Sequence, residues 1–288
     1  MGGAELGQIF VNAVLLSGIL ALVALGFSLV WGIMNIVNLA HGAFIVLGAY
    51  ITFFLHELLG VDPFLSIPVA MLALFSLGWI VQRGLINQVI KAPLLATFLL
   101  TFGLELLIVN LINYFFKADL RSVTTSYSGT GFTLGPVRIP YIRLGALGVS
   151  LVLVAALAWF LKSSRTGRAI RATGMDIDAA RLTGVKVATI YAATFAIGAG
   201  MAGAAGSLLS MIVPFDPTLG GAYTQRAFAI CVLGGLGNVA NVVIGAAIYA
   251  FVDVFVGARL PSLSRAVTFA ILVLLLVLRP QGIAGKSV

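Results

Sequence analysis

Charge is scarce in this chain: of 288 residues only 9% are Asp, Glu, Lys or Arg, whereas 61% are hydrophobic. Its mean hydropathy is +1.14. A soluble domain of this size takes roughly a quarter of its residues from the charged set to cover its surface. The composition therefore excludes a cytosolic enzyme, a secreted disulfide scaffold and a disordered chain. Cysteine is almost missing too. Cys231 stands alone in an apolar run, so it has no partner for an intrachain disulfide or a cysteine zinc site and is expected to fill core space. Histidine is limited to His41 and His56, and neither a G-x-S-x-G elbow nor an H-E-x-x-H pair accompanies them. His56 and Glu57 read as an interfacial pair.

Two apparent nucleotide motifs fail on context. Gly198-Ala-Gly-Met-Ala-Gly203 has the letters of a dinucleotide fingerprint but lies inside an apolar span with no strand before it. Gly198, Ala202, Gly206 and Ser210 fall at four-residue steps, which suits close helix packing. Gly285-Lys286-Ser287 resembles the end of a P-loop, yet Pro280 occupies the position of its first glycine. No cofactor or metal is expected on this chain.

What is abundant is apolar sequence in runs of about 20 residues, the length a helix needs to cross a hydrocarbon core of about 30 Å. Candidate spans fall at 8–32, 36–59, 64–82, 94–116, 143–161, 188–213, 222–236, 239–257 and 263–279. The expectation is an all-α integral membrane protein, a single polytopic bundle over residues 1–288 with eight or nine spans. The count turns on Gly234-Gly235-Leu236-Gly237-Asn238, which reads as a tight turn or as a break within one helix. The first ten residues lack the basic start of a secretory signal, so the first span is expected to be retained.

The net charge of +8 is distributed between the spans. Ten of the seventeen basic residues, six of them from Lys162 to Lys186, fall on one side, and seven fall on the other. The positive-inside rule places the richer side in the cytoplasm, with the N-terminus outside and the C-terminus inside. Residues 117–142, rich in Ser, Thr, Gly and Pro, then form an extracytoplasmic hairpin or lid. In the cytoplasmic loop 162–187, Asp176 or Asp178 can cap a short helix through Ala180 that Gly184 ends. Such a helix is either a docking element or part of a basic loop that only sets topology.

Polar residues within spans are costly and face a cavity or another helix. Asn35, Asn38 and His41, spaced by three beside Gly42, are expected to share one arc of the second span. They line a substrate pathway or fix packing. Glu105 and Asp253 are the remaining candidates, each able to pair with Arg226 or a helix end. The interruptions near Asn38 and at Gly234, Gly235, Gly237 and Asn238 occupy comparable places in the two halves, as broken helices of an inverted repeat would.

Four stretches in order, Gly32-Ile-Met-Asn-Ile-Val-Asn-Leu-Ala-His-Gly42, Arg165-Thr-Gly-Arg-Ala-Ile-Arg171 with Asp176, Ala180 and Gly184, Val232-Leu-Gly-Gly-Leu-Gly-Asn238 with Gly245, and Arg279-Pro-Gln-Gly-Ile-Ala-Gly285, resemble one family. It is the branched-chain amino acid permeases of the ATP-binding-cassette importers, and the Asn-Leu-Ala-His-Gly form is similar to the first of their two membrane subunits. The resemblance covers nearly the whole chain. It implies a non-catalytic subunit of the bacterial inner membrane, forming a pathway with a second, homologous permease. Two cytoplasmic ATPases would bind ATP and Mg, an external solute-binding protein would deliver substrate, and no nucleic acid is involved. Within it, Gly167, Arg168, Arg171, Asp176, Ala180 and Gly184 would belong to the coupling helix that meets an ATPase. A self-sufficient ion-coupled carrier or channel, with Glu105 and Asp253 as its only coupling groups, is the competing reading.

Overall fold

The computed structural model describes residues 2–90, 92–235 and 239–278. Two helices form the interior. The first, α1 (Gly3–Met34), has 32 residues and is apolar on every side, so it reaches about 48 Å and is buried continuously from Gly18 to Val30. The second, α9 (Val187–Ser210), is buried along nearly its whole length. Its glycines face several neighbours. A side chain on Gly198 would strike the Gly26 carbonyl of α1, one on Gly203 the Ala70 carbonyl, and one on Gly206 the Ile45 carbonyl. The Gly198–Gly203 run thus sits within a continuous helix whose backbone is approached from three directions.

Around this pair lie α2 (His41–Leu59), α3 (Pro63–Val81), α6 (Tyr141–Ser163) and α11 (Val239–Arg259). Asp62 starts α3 by accepting the Phe64 N–H at 2.9 Å, with Pro63 in the first turn where its missing donor costs nothing. A π-helical turn (Gln82–Ile86) and a short α4 (Asn87–Val89) carry α3 onward, making a span of 27 residues. By contrast, α5 (Leu94–Phe116) buries only the stripe Thr97, Thr101, Leu104, Ile108 and Ile112 and exposes apolar side chains elsewhere.

Seven of the described helices are long and apolar enough to cross a membrane. The predicted spans 222–236 and 239–257 form separate helices, α10 (Leu219–Gly234) and α11, with Gly235 at φ +84° after the first. With 16 residues, α10 reaches about 24 Å, short of a hydrocarbon core. A 3₁₀ turn (Pro261–Leu263) precedes α12 (Ser264–Leu278).

The two polar segments mark opposite ends of the bundle. Residues 131–140 form a hairpin of β1 (Gly131–Leu134) and β2 (Val137–Pro140), turning through Gly135 at φ +60° and Pro136. This hairpin meets the start of α1, where the Gln8 side chain exchanges hydrogen bonds of 2.8 and 3.0 Å with the Arg138 backbone. At the other end the predicted short helix is α8 (Ile177–Leu182), and a second helix, α7 (Arg165–Met175), precedes it. Ser164 caps α7 by accepting the Gly167 N–H at 2.8 Å.

One expectation is overturned. Asn35, Asn38 and His41 do not share a helical arc, because residues 35–40 are not helical. Asn35 ends α1 in the left-handed region at φ 53°, a conformation Asn tolerates because its amide can bond locally, and only His41 belongs to α2.

Candidate functional site

The irregular segment 35–40 is the structural centre of the candidate site. The His41 imidazole lies 2.9 Å from the Val23 carbonyl, eleven residues before the end of α1. The His41 ring therefore meets α1 about 16 Å back from its end, so the chain has turned back beside α1 before α2 begins. Non-helical backbone at that depth needs partners from the protein, since lipid offers none. Two threonines supply them. The Thr101 hydroxyl of α5 accepts the Leu39 N–H (3.3 Å) and shares its proton between the carbonyls of Val37 and Phe98, each at 3.1 Å. The Thr224 hydroxyl of α10 accepts the Gly42 N–H at 2.8 Å and faces the Leu39 and Gly220 carbonyls at 3.3 Å.

A second irregular segment mirrors the first. Residues 211–218 lead from α9 into α10, and a side chain on Gly220, in the first turn of α10, would lie 2.6 Å from the Gly42 carbonyl. Each half of the chain thus runs from a long buried helix through an irregular segment into a shorter one, and the two short helices meet at their N-terminal turns. These ends carry partial positive charge. Glu105 approaches the same point from α5, one turn beyond Thr101, with its carboxylate 3.7 Å from where a side chain on Gly221 would begin.

Two buried polar atoms there lack a hydrogen-bond partner. They are Asn38 Oδ1 and His41 Nδ1. Because His41 Nε2 faces a carbonyl, it is the nitrogen that donates, and Nδ1 is left without a partner. Phe27, edge-on at 5.6 Å, packs against the imidazole.

The structure therefore brings Asn38, His41, Gly42 and Glu105 together and leaves Asn35 exposed at the end of α1. Gly234 packs against Asn241 and Val242 of α11, so it is Gly220, not the Gly234–Gly235 break, that meets the 35–42 segment. Gly237 and Asn238 lie outside the described residues, as does the 279–285 stretch. Arg226 forms no ion pair with Glu105 or Asp253 and lies over the Tyr223 ring at 5.1 Å. Thr101, Thr224, Gly220 and Gly221 escaped the sequence reading. Gly220-Gly221 followed by a threonine in an apolar helix was the available signal.

At the α7 end, Gly167 lies against the Phe160 carbonyl and Leu161, Ile170 is fully buried, and Gly174 abuts Ile33 in the last turn of α1. Asp176, not Asp178, caps α8, accepting the Asp178 and Ala179 N–H groups at 2.9 and 3.0 Å. Gly184, at φ +83°, closes the element by donating to the Arg181 carbonyl at 2.9 Å. Gly167 and Ala180 face inward and hold the loop in place, while Arg168 and Arg171 face outward. Met175 and Leu182, not singled out from sequence, are 88% and 90% exposed and leave bare apolar tips at the ends of α7 and α8. The Arg181–Asp178 pair (2.9 Å) is exposed and contributes little.

At the hairpin end, Tyr127 donates to Asp62 Oδ2 at 2.8 Å. Burial, together with that bond to and the charge of Asp62, pushes the phenol up to about 12. His56 lies 3.1 Å from both the Val61 and the Thr124 carbonyls, bridging two loops. The Arg121 guanidinium stacks over Phe53 at 5.0 Å, and its backbone exchanges hydrogen bonds of 2.8 and 2.9 Å with Phe215. The 117–130 loop is thereby tied to the segment that leads into α10.

This geometry defines a class: a multi-pass helical membrane protein built around buried, broken helices whose short arms meet at depth. The chain belongs to the family of permease components of branched-chain amino acid transport systems, whose model matches residues 9–276. It is 30% identical over 295 residues to BraD, a high-affinity branched-chain amino acid transport permease of Pseudomonas aeruginosa, covering 97% of this chain and 95% of that one. With LivH of Escherichia coli K12, a permease of the same description, it is 29% identical over 296 residues, covering 98% and 96%. A more distant similarity, 30% over 217 residues, covers 68% of this chain and 58% of LsrC, the autoinducer 2 import permease of Salmonella paratyphi B. No solved structure matches.

Proposed function

We propose that this chain is the first membrane subunit of an ATP-binding-cassette importer in the bacterial inner membrane, pairing with a second permease to move branched-chain or related amino acids. It performs no catalysis. ATP and Mg bind to two partner ATPases, and an external solute-binding protein supplies the substrate at the hairpin end. The α7 end faces the cytoplasm, with the N-terminus outside and the C-terminus inside.

One contact carries this reading: Gly174 of α7 against Ile33, two residues before the left-handed Asn35. A partner can shift the pathway only through a contact that differs between two states. Motion of ATPases gripping Met175, Arg168 and Leu182 would reach the last turn of α1, then the 35–40 segment, then the junction of α2 and α10. That junction is closed by Gly42 on Gly220, and its positive helix ends suit a substrate carboxylate.

Leu182→Glu tests the coupling. The variant chain should insert and pair normally but fail to copurify with ATPases, and ATP-driven uptake in proteoliposomes should be lost; full copurification and uptake would sink the assignment. Orientation has its own test, because the single cysteine of the chain, Cys231, is buried. A cysteine placed at Leu182 should be labelled by a membrane-impermeant maleimide only from the cytoplasmic face. The ion-coupled carrier is favoured by Glu105 at the α10 turn. It requires uptake driven by an ion gradient without ATP.

A further inference from the structure

The α7 end contains a cavity of about 700 Å³ that the transport reading leaves unused. Leu29 and Ile33 of α1 form its back, Ala158 of α6 and Ile244 of α11 its sides, and Ile244 is 47% exposed at its mouth. Its walls are mainly apolar, so water gains little there, and leaving it empty forfeits contacts on every side. Hydrocarbon is the natural filler. Its size falls within the range of about 300–1,000 Å³ typical of small-molecule sites.

The charged groups at its rim specify which hydrocarbon. Lys162, at the end of α6, and Arg171, on α7, line the same cavity, and no carboxylate does. Among the described residues neither cation makes an ion pair or side-chain hydrogen bond, whereas nearby Arg168 donates to the Ser163 carbonyl at 2.5 Å. Trp159 lies one turn before Lys162 and is 71% exposed. An exposed tryptophan and a lysine at a span's end mark the level of the lipid headgroups. The cavity mouth therefore stands where an acyl chain can enter while its phosphate remains beside two unpaired cations.

We propose that this cleft binds one anionic phospholipid, with an acyl chain between α6 and α11 and its phosphate held by Lys162 and Arg171. Such a lipid would brace α7 against α1 and make the seating of the coupling loop depend on membrane composition. The proposal stands on the cavity and its cations and does not require the ATPase assignment.

Native mass spectrometry of the full chain in a zwitterionic detergent tests it, using phosphatidylglycerol and phosphatidylcholine with identical acyl chains. Two cations at a membrane surface favour an anionic headgroup by about tenfold or more. The wild-type chain should retain phosphatidylglycerol by that margin, and Lys162→Ala with Arg171→Ala should remove the preference. Ala158→Trp, which fills the apolar part and spares both cations, should weaken retention of both lipids. Equal retention of the two lipids by the wild-type chain would overturn the proposal, as would a preference that survives the double substitution. Displacement by inorganic phosphate alone, or a cleft occupied by the second permease so that the paired subunits retain no lipid there, would overturn it as well.

Discussion

Gly42 and Gly220 meet backbone to backbone: a methyl group on Gly42 would overlap the Gly220 carbonyl, and one on Gly220 would lie 2.6 Å from the Gly42 carbonyl. Each is the second residue of its helix. The contact therefore joins the first turns of two short helices that come from the two halves of the chain. It also leaves no room between them, so on the pathway proposed above α2 and α10 must separate for a solute to pass. Both helices follow irregular segments fastened to opposite ends of the molecule: 35–40 adjoins the α1 turn touched by α7, and 211–218 is bonded through Phe215 to Arg121 of the 117–130 loop.

Gly42→Ala should force the two turns apart or unseat one of them. Overpacking a buried contact costs about 1–3 kcal/mol, and here the obstacle is backbone, which cannot rotate away. We expect a lower thermal midpoint in detergent together with loss of uptake. Gly148→Ala is the control, because nothing lies within 4 Å of its added carbon, and it should leave both properties unchanged. Equal behaviour of the two variants would show that the Gly42–Gly220 contact does not control the pathway.

Thr224 makes a separate prediction. Its hydroxyl is the partner of the buried Gly42 N–H at 2.8 Å, and Thr224→Val preserves shape while orphaning that donor. An unsatisfied buried donor costs about 1–3 kcal/mol. Unfolding measurements should place Thr224→Val in that range and Thr224→Ser near wild type. If valine and serine were equivalent, packing alone would hold α10 to the 35–42 segment.

The spans were legible because their apolar runs match the bilayer thickness, and the α8 boundaries were legible because Asp176 and Gly184 act through local chemistry. Asn35 shows where pattern fails. A three-residue spacing implies a shared helical face only if the intervening backbone is helical, and nothing local announces that a tertiary partner, Thr101, sixty-odd residues away, satisfies an unwound segment instead. Gly220 was obscured for a similar reason. Its role exists only against Gly42, a pairing made by topology, whereas the more conspicuous Gly234 packs against α11. Arg171 could be read as surface charge, but its position over a cavity depends on how α7 seats on α1 and α6.

Tyr127 predicts an alkaline transition at the hairpin end. Its ordinary value is 10.0, and in the folded protein it rises to about 12. A raised value means that the folded state holds the proton more tightly than the unfolded chain. The stabilising contribution is therefore complete below about pH 10 and is lost as pH rises towards and through about 12. Tyr127→Phe should abolish the corresponding change in protease sensitivity of the 117–130 loop, and tyrosinate absorbance in the wild-type chain should show one phenol ionising late. A loop equally sensitive in both proteins across that window would remove Tyr127 as its tether to Asp62.

Asp176 separates the order of α8 from the stability of the bundle. Its carboxylate satisfies two of the first N–H groups of a six-residue helix, and a helix this short has little else to sustain it. Asp176→Ala should cost about 1 kcal/mol locally without moving the global unfolding midpoint, because α8 packs through only one buried side chain, Ala180. Hydrogen exchange should consequently speed up at Asp178 and Ala179 and stay unchanged in α9. Asp176→Asn keeps a capping oxygen and should restore most of the protection. If α8 is the element that a partner grips, ATP-driven uptake should fall in the order wild type, Asn, Ala in step with that exchange. Transport unchanged in the Ala variant despite a frayed α8 would place the grip on α7 instead.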